Sequence, residues 1–225
     1  MLRTIFLALF YAIAVMLPPA HAEGELMVMP SSLKVYNNHD HSVKVRNMGD
    51  APLYLSISVQ KVMNPGVEPE VKVPMGQVDR PGMLASPDKI TLGPGQSRAV
   101  SLKSLYAPDA EELYRVYIVP VRSLQVREAP EDRITAPMSV SVGYGVLVRH
   151  MPPPAKQRSA WTHRCTPGGV LLENTGNVRL LFSDVTAAGG AKKNWMALFP
   201  GTPQLFPGKS LSLSADDKRL TLDCR

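Results

Sequence analysis

The apolar residues of this chain fall in short blocks, alternating with polar residues and separated by turn formers, and that pattern excludes most folds at once. Leu26 to Met29 and Leu33 to Tyr36 predict a broken first strand. Ser42 to Asn47, Leu53 to Val62, Lys89 to Leu92, Ser97 to Leu105, Leu113 to Leu124 and Met138 to Val148 predict the strands that follow. Asn47-Met48-Gly49-Asp50, Asn64-Pro65-Gly66 and Gly93-Pro94-Gly95 lie between them, and these residues either pre-set a turn's φ or tolerate the positive φ it needs. Alternation at period two buries one face of each strand. The expected fold class is therefore all-β, with an immunoglobulin-like sandwich built from seven or eight antiparallel strands. Twenty-one Pro and sixteen Gly argue against a helical bundle or coiled coil, and 44% hydrophobic residues argue against disorder.

The run Met151-Pro152-Pro153-Pro154 ends this first unit, because proline has no N–H for a ladder and stiffens the chain. Beyond it, Val170-Leu171-Leu172, Arg179 to Phe182, Trp195 to Phe199, Ser210 to Leu213 and Leu220 to Leu222 predict a second, smaller β-sandwich. The expected organisation is a signal over 1–22, a first domain over 23–150, a linker over 151–155 and a second domain over 156–225. The signal is read from Arg3, an apolar run from Ile5 to Leu17, and Ala20-His21-Ala22 before the expected mature start at Glu23. Its apolar core is too short to span a bilayer as a helix, so an exported, soluble mature chain is expected. The only two cysteines, Cys165 and Cys224, fit a structural disulfide in an oxidising compartment. The formal charge of +6 comes without a block of consecutive basic residues, so nucleic acid is not an expected partner.

Catalytic and metal motifs are weak. His39-Asp40-His41 sits in a polar stretch and reads as a solvated turn; His150 and His163 have no ligand set at metal spacing. Gly208-Lys209-Ser210 lacks the glycine spacing and the helix of a phosphate loop. No Gly-x-Ser-x-Gly occurs, and the pairs Glu111-Glu112 and Glu131-Asp132 read as solvated carboxylates. Neither an enzyme nor a cofactor is expected.

Two features invite a partner. In Met138 to Arg149, side-chain alternation places Met138, Val140, Val142, Tyr144, Val146 and Val148 on one face and Ser139, Ser141, Gly143 and Gly145 on the other. One face is apolar and the other nearly featureless, on a strand expected at a sheet edge, where unpaired backbone invites another chain. The second feature is Arg115 within the apolar strand Leu113 to Val119. A cation there must reach solvent or an anion, and sheet pairing would bring Arg149 and Lys34 toward the same cleft.

At these residues the sequence resembles the periplasmic chaperones of the chaperone/usher pilus pathway, in the alternate branch serving CFA/I-type, class 5 fimbriae. The resemblance is carried by Val62-Met-Asn-Pro-Gly66, Ser86 to Leu92 followed by Gly93-Pro-Gly-Gln-Ser-Arg98, Glu111-Glu-Leu-Tyr-Arg-Val-Tyr117, Tyr144-Gly-Val-Leu-Val-Arg149 and Asn174-Thr-Gly-Asn177. It implies two immunoglobulin-like domains set at an angle, periplasmic location, and capture of pilus subunits for delivery to an outer-membrane usher. It also implies a donor strand, here Met138, Val140, Val142, Tyr144 and Val146, and a carboxylate anchor, here Arg115, Arg149 and Lys34. The alternative is a secreted adhesion or structural pilus component. The exposed edge further suggests self-association.

Overall fold

The computed structural model describes residues 25–121, 142–188, 190, 192–216 and 218–224. The expected signal, the start at Glu23, and Met138 and Val140 lie outside the described residues.

The chain forms two β-sandwiches. In the first, β1 (Leu26–Met29), β3 (His41–Asn47), β8 (Ser97–Ser104) and β6 (Met83–Ser86) make a four-stranded sheet in that order. The facing six-stranded sheet runs β2 (Ser32–Val35), β10 (Tyr144–His150), β9 (Glu112–Pro120), β4 (Leu53–Val62) and β5 (Lys72–Pro74), with β7 (Lys89–Leu92) also beside β4. The first strand is broken as expected: β1 pairs in one sheet and β2 in the other, and the crossing falls at Met29-Pro30. Alternation explains the core. Val43 and Val45 face Leu55, Tyr114, Val116, Ile118, Val146 and Val148 in a single apolar cluster, while the residues between them turn outward.

The second sandwich pairs a sheet of β11 (Trp161–Thr166), β12 (Gly169–Asn174) and β15 (Gln204–Phe206) with a sheet ordered β14 (Lys193–Leu198), β13 (Leu180–Ala187), β16 (Ser210–Ala215) and β17 (Lys218–Asp223). Its core holds Val170, Leu172, Phe182, Leu198, Leu211 and Leu213. The Cys165–Cys224 disulfide forms, linking β11 of one sheet to the chain just after β17 of the other, across a sequence separation of 59. No helix among the described residues is long and apolar enough to cross a membrane.

The proline run is docked instead of hanging free. Met151 is buried and donates its N–H to the Val35 carbonyl, and the Pro152 carbonyl accepts from Gln157 Nε2. The prolines thus hold the chain in a fixed path between the sandwiches, using the few hydrogen-bonding groups the segment retains.

Candidate functional site

Strand β10 is covered over only part of its length. On one side β9 pairs with all of Tyr144 to His150; on the other, β2 runs parallel to Leu147–His150 alone. No other described strand pairs with residues 142–146. The strand is thus interior in its second half and an edge in its first. Val142 there is 67% exposed and Tyr144 is 39% exposed.

Val146 does not belong with them. It shares their face by alternation, but the face dips under the sandwich at that point, and Val146 is fully buried in the first core beside Val148. Its side chain already serves its own domain, so the expected donor set is corrected at this residue. The opposite face is not featureless either. A Cβ at Gly145 would lie 3.3 Å from the Tyr117 ring, and one at Gly143 would lie 3.1 Å from Val119 Cγ2. The two glycines let side chains from β9 lie across the β10 backbone.

The three expected cations do share one face. Lys34 is opposite Arg149, Arg149 is opposite Leu113, and Arg115 is opposite Leu147. Directly opposed residues point the same way, so all three lie on the face turned from the core. Arg115 has found its anion: its Nε and Nη2 donate to the two oxygens of Glu70 at 3.1 and 2.6 Å, with Lys72 Nζ 3.7 Å from the same carboxylate. The Arg115 hydrogen bonds hold the Glu70 carboxyl below its usual range despite partial burial. Lys34 is exposed and makes no ion pair among the described residues.

Arg149 is the deepest of the three, its side chain 11% exposed, and its Nε and Nη2 clamp Glu111 in a bidentate bond. Glu111 has a fully buried side chain and also accepts the Arg179 backbone N–H at 2.8 Å, which joins the two sandwiches. Asn177 reinforces the joint: its amide donates to the Asp109 and Lys156 carbonyls and accepts the Arg158 N–H. Beside these polar contacts Val62, Leu113 and Leu147 of the first sandwich pack on Ala197 and Phe199 of the second. The cleft floor is therefore a buried carboxylate ringed by cations and flanked by an apolar seam. The solvated reading of Glu111 fails because its partners, Arg149 and the Arg179 N–H, are 38 and 68 residues away in sequence.

Glu112 was also expected in solvent and is not. It accepts from Lys61 Nζ at 2.6 Å, from Tyr114 OH at 2.6 Å and from Tyr106 OH, and lies 3.4 Å from His150 Nδ1. Burial pushes its carboxyl upward, but hydrogen bonds from His150, Lys61 and Tyr114 prevail and hold it down at about 2. The fully buried His150 also meets Ser104 Oγ at 2.7 Å through Nε2, so Ser104, His150 and Glu112 line up as a hydrolytic triad would. The likeness ends at the chemistry. Ser104 Oγ donates to the Tyr106 carbonyl, and both Ser104 and His150 are buried within the sandwich, out of reach of a substrate. The cluster pins the end of β10 to β8 and β9.

His39-Asp40-His41 lies in the turn before β3, where His41 Nε2 accepts the Tyr36 N–H. A cavity of about 700 Å³ borders that turn, on the four-stranded sheet and away from the cleft. No group of three or more His, Cys, Asp or Glu among the described residues is placed to hold a metal.

Two sandwiches joined over a basic cleft, with a half-covered last strand in the first, define the fold class of the periplasmic pilus chaperones. The resemblance read from the sequence is borne out by comparison with known proteins. The chain is 29% identical over 178 residues to a CFA/I fimbrial protein of Escherichia coli, covering 79% of this chain and 74% of that protein. In structure it is similar to the class 5 fimbriae chaperone CfaA, with a TM-score of 0.67 at 23% identity, covering 89% of this chain and 99% of that one. It is also similar to a chain of a chaperone-tip adhesin complex of CFA/I fimbriae biogenesis, with a TM-score of 0.69 at 22% identity over 89% of this chain and 98% of that one. No family model matches the sequence.

Proposed function

We propose that this protein is a periplasmic chaperone that holds fimbrial subunits by donor-strand complementation and passes them to an outer-membrane usher. The observation that carries the reading is the first half of β10: exposed apolar side chains at Val142 and Tyr144, on a strand paired on one side only, beside a cationic cleft. A polypeptide lacking a strand finds there both a backbone ladder and side chains for its groove. Burying Val142 and Tyr144, with Met138 and Val140 ahead of them, contributes roughly 1.5 to 3 kcal/mol for each large apolar side chain. The backbone ladder then sets the register.

The carboxylate at the subunit's C-terminus is taken by the cleft cations. Lys34 carries no ion-pair partner among the described residues, and Arg149 spends two of its N–H donors on Glu111, leaving three of a guanidinium's five. Arg115 stands one register step further along the same face. No chemical step is required, because the energy comes from completing the subunit's fold, and the work is binding without catalysis. A signal over 1–22 delivers the chain to the periplasm. The resemblance to chaperones favours this reading over an adhesion or structural pilus component.

The test is recovery of the chaperone from host periplasm, with mass spectrometry of what co-purifies. A fimbrial subunit in equimolar amount is expected with the wild type and lost with Val142→Asp, whose site is too exposed for the change to harm the fold. Equal recovery with Val142→Asp refutes strand donation.

A further inference from the structure

We infer that the second sandwich supplies the other wall of the binding cleft, a docking shelf of Arg179, Leu181 and Trp195 for the last residues of a captured subunit. The inference rests on the proposed capture of subunits and adds a site on the domain that strand donation leaves unused.

Three observations meet on this face. Leu181 is opposite Ala197 and Ser183 is opposite Trp195, so Leu181, Ala197, Ser183 and Trp195 share the outer side of β13 and β14. At one end that side is already in contact with the first sandwich, through Ala197 and Phe199 in the cleft seam. Two residues further out, the same side carries Trp195 at 70% exposure and Leu181 at 57%. An apolar shelf thus continues out of the interdomain contact, and β14, which bears the tryptophan, is the edge strand of its sheet.

The second observation is a charge without a partner. Arg179 donates its backbone N–H to Glu111, but its side chain forms no ion pair or hydrogen bond among the described residues, and its Nε is buried and unsatisfied. Its guanidinium lies 5.8 Å from the centre of the Phe199 ring. Burial and the neighbouring Arg149 both disfavour its charge. Arg149 and Arg179 therefore share one internal carboxylate, Glu111, whose oxygens are already bonded. A second carboxylate would balance that excess, and a subunit's C-terminus brings one without a side chain.

The third is spacing. From Arg179 to Ser183, the residue opposite Trp195, is four strand residues, about 13 Å. A terminal carboxylate at Arg179 places the residue about four positions earlier over Trp195, with Leu181 covering the middle. Cation and tryptophan thus measure the same extended segment that β10 faces from the opposite wall.

The experiment uses the mature chain carrying Trp161→Phe, which leaves Trp195 as the sole tryptophan. The probe is an acetylated peptide of alternating valine and serine, about ten residues long, with a free carboxylate or a terminal amide. Expected is a blue shift of Trp195 emission on binding the carboxylate form, with the amide at least tenfold weaker, as loss of a charge-assisted bond predicts. Arg179→Gln is expected to remove the preference for the carboxylate, and Trp195→Ala, followed by calorimetry, to weaken both forms. Equal affinity for the two peptides, an unchanged preference in Arg179→Gln, or a shift that appears with protein concentration alone, as a second copy would give, overturns the shelf. If those variants bind normally while Val142→Asp loses the peptide, the shelf fails and strand donation stands; if Val142→Asp also binds normally, strand donation itself fails.

Discussion

Removing the Glu111 carboxylate by substitution to alanine tests whether the cleft floor holds the two sandwiches together. Glu111 has no solvent exposure in its side chain, and it neutralises Arg149, which has 11%. The substitution deletes a bidentate ion pair, leaves a mostly buried guanidinium without a counter-ion, and removes the acceptor of the Arg179 N–H. Breaking one partner of a buried pair costs about 3 to 5 kcal/mol, most of it from the charge left behind. With a urea dependence of about 2 kcal/mol per molar, the unfolding midpoint falls by roughly 1.5 to 2.5 M. Because two sandwiches need not unfold together, the sharper measurement is a double-mutant cycle with Arg149→Met. The double variant Glu111→Ala, Arg149→Met removes both charges, so it is expected to recover at least about 2 kcal/mol relative to the sum of the single changes. Additive effects, or a midpoint unmoved by Glu111→Ala, would refute the claim that this pair bolts the cleft. The same geometry alters the expectation for Arg149→Ala, which unpairs Glu111 and so destabilises the fold in addition to weakening subunit capture.

Acid sensitivity follows from Glu112. Its folded value of about 2 lies below the ordinary carboxylate value, so the stability it contributes is complete above about pH 4.5 and is lost as the pH falls toward 2. Glu112→Gln is expected to flatten that limb of a pH series of thermal melts. Arg115→Ala is expected to weaken subunit capture by about 2 to 5 kcal/mol if its guanidinium leaves Glu70 for the subunit terminus; titration calorimetry with purified subunit showing no change would restrict Arg115 to its internal pair. Replacing Cys165 and Cys224 by serine opens a loop of 59 residues and is expected to cost about 4 kcal/mol, read as a lower unfolding midpoint of the second sandwich.

Much of the architecture was legible because alternation is a local signal. The broken first strand, the long β4 and the Ser-Leu-Ser-Leu run of β16 each followed from period two and flanking turn residues. The sharing of a face by Lys34, Arg115 and Arg149 was also anticipated. What alternation cannot show is where along a strand one face passes from open to covered, and so Val142 and Val146, identical in type and parity, have opposite fates. The carboxylates failed for a different reason. Glu111 and Glu112 look alike in sequence, yet one meets Arg149 and the Arg179 N–H, the other Lys61, Tyr106, Tyr114 and His150. Burial of a charge depends on partners that topology brings together, and no short window contains them. Arg179 was missed likewise, since its missing counter-ion is visible only once Glu111 is seen to be taken.

The early departure of the first strand has one more consequence. β2 reaches up β10 only as far as Leu147, where Ser31 accepts its N–H, and Pro30, which has no N–H to give, leads the chain away to the other sheet. The bare margin at residues 142–146 is therefore about 17 Å long, with a wall at one end. A visiting strand that slides toward the cleft collides with Ser31. Its stopping point would be fixed by backbone before any side chain is read, which would let one slot accept subunits of differing sequence in a common alignment.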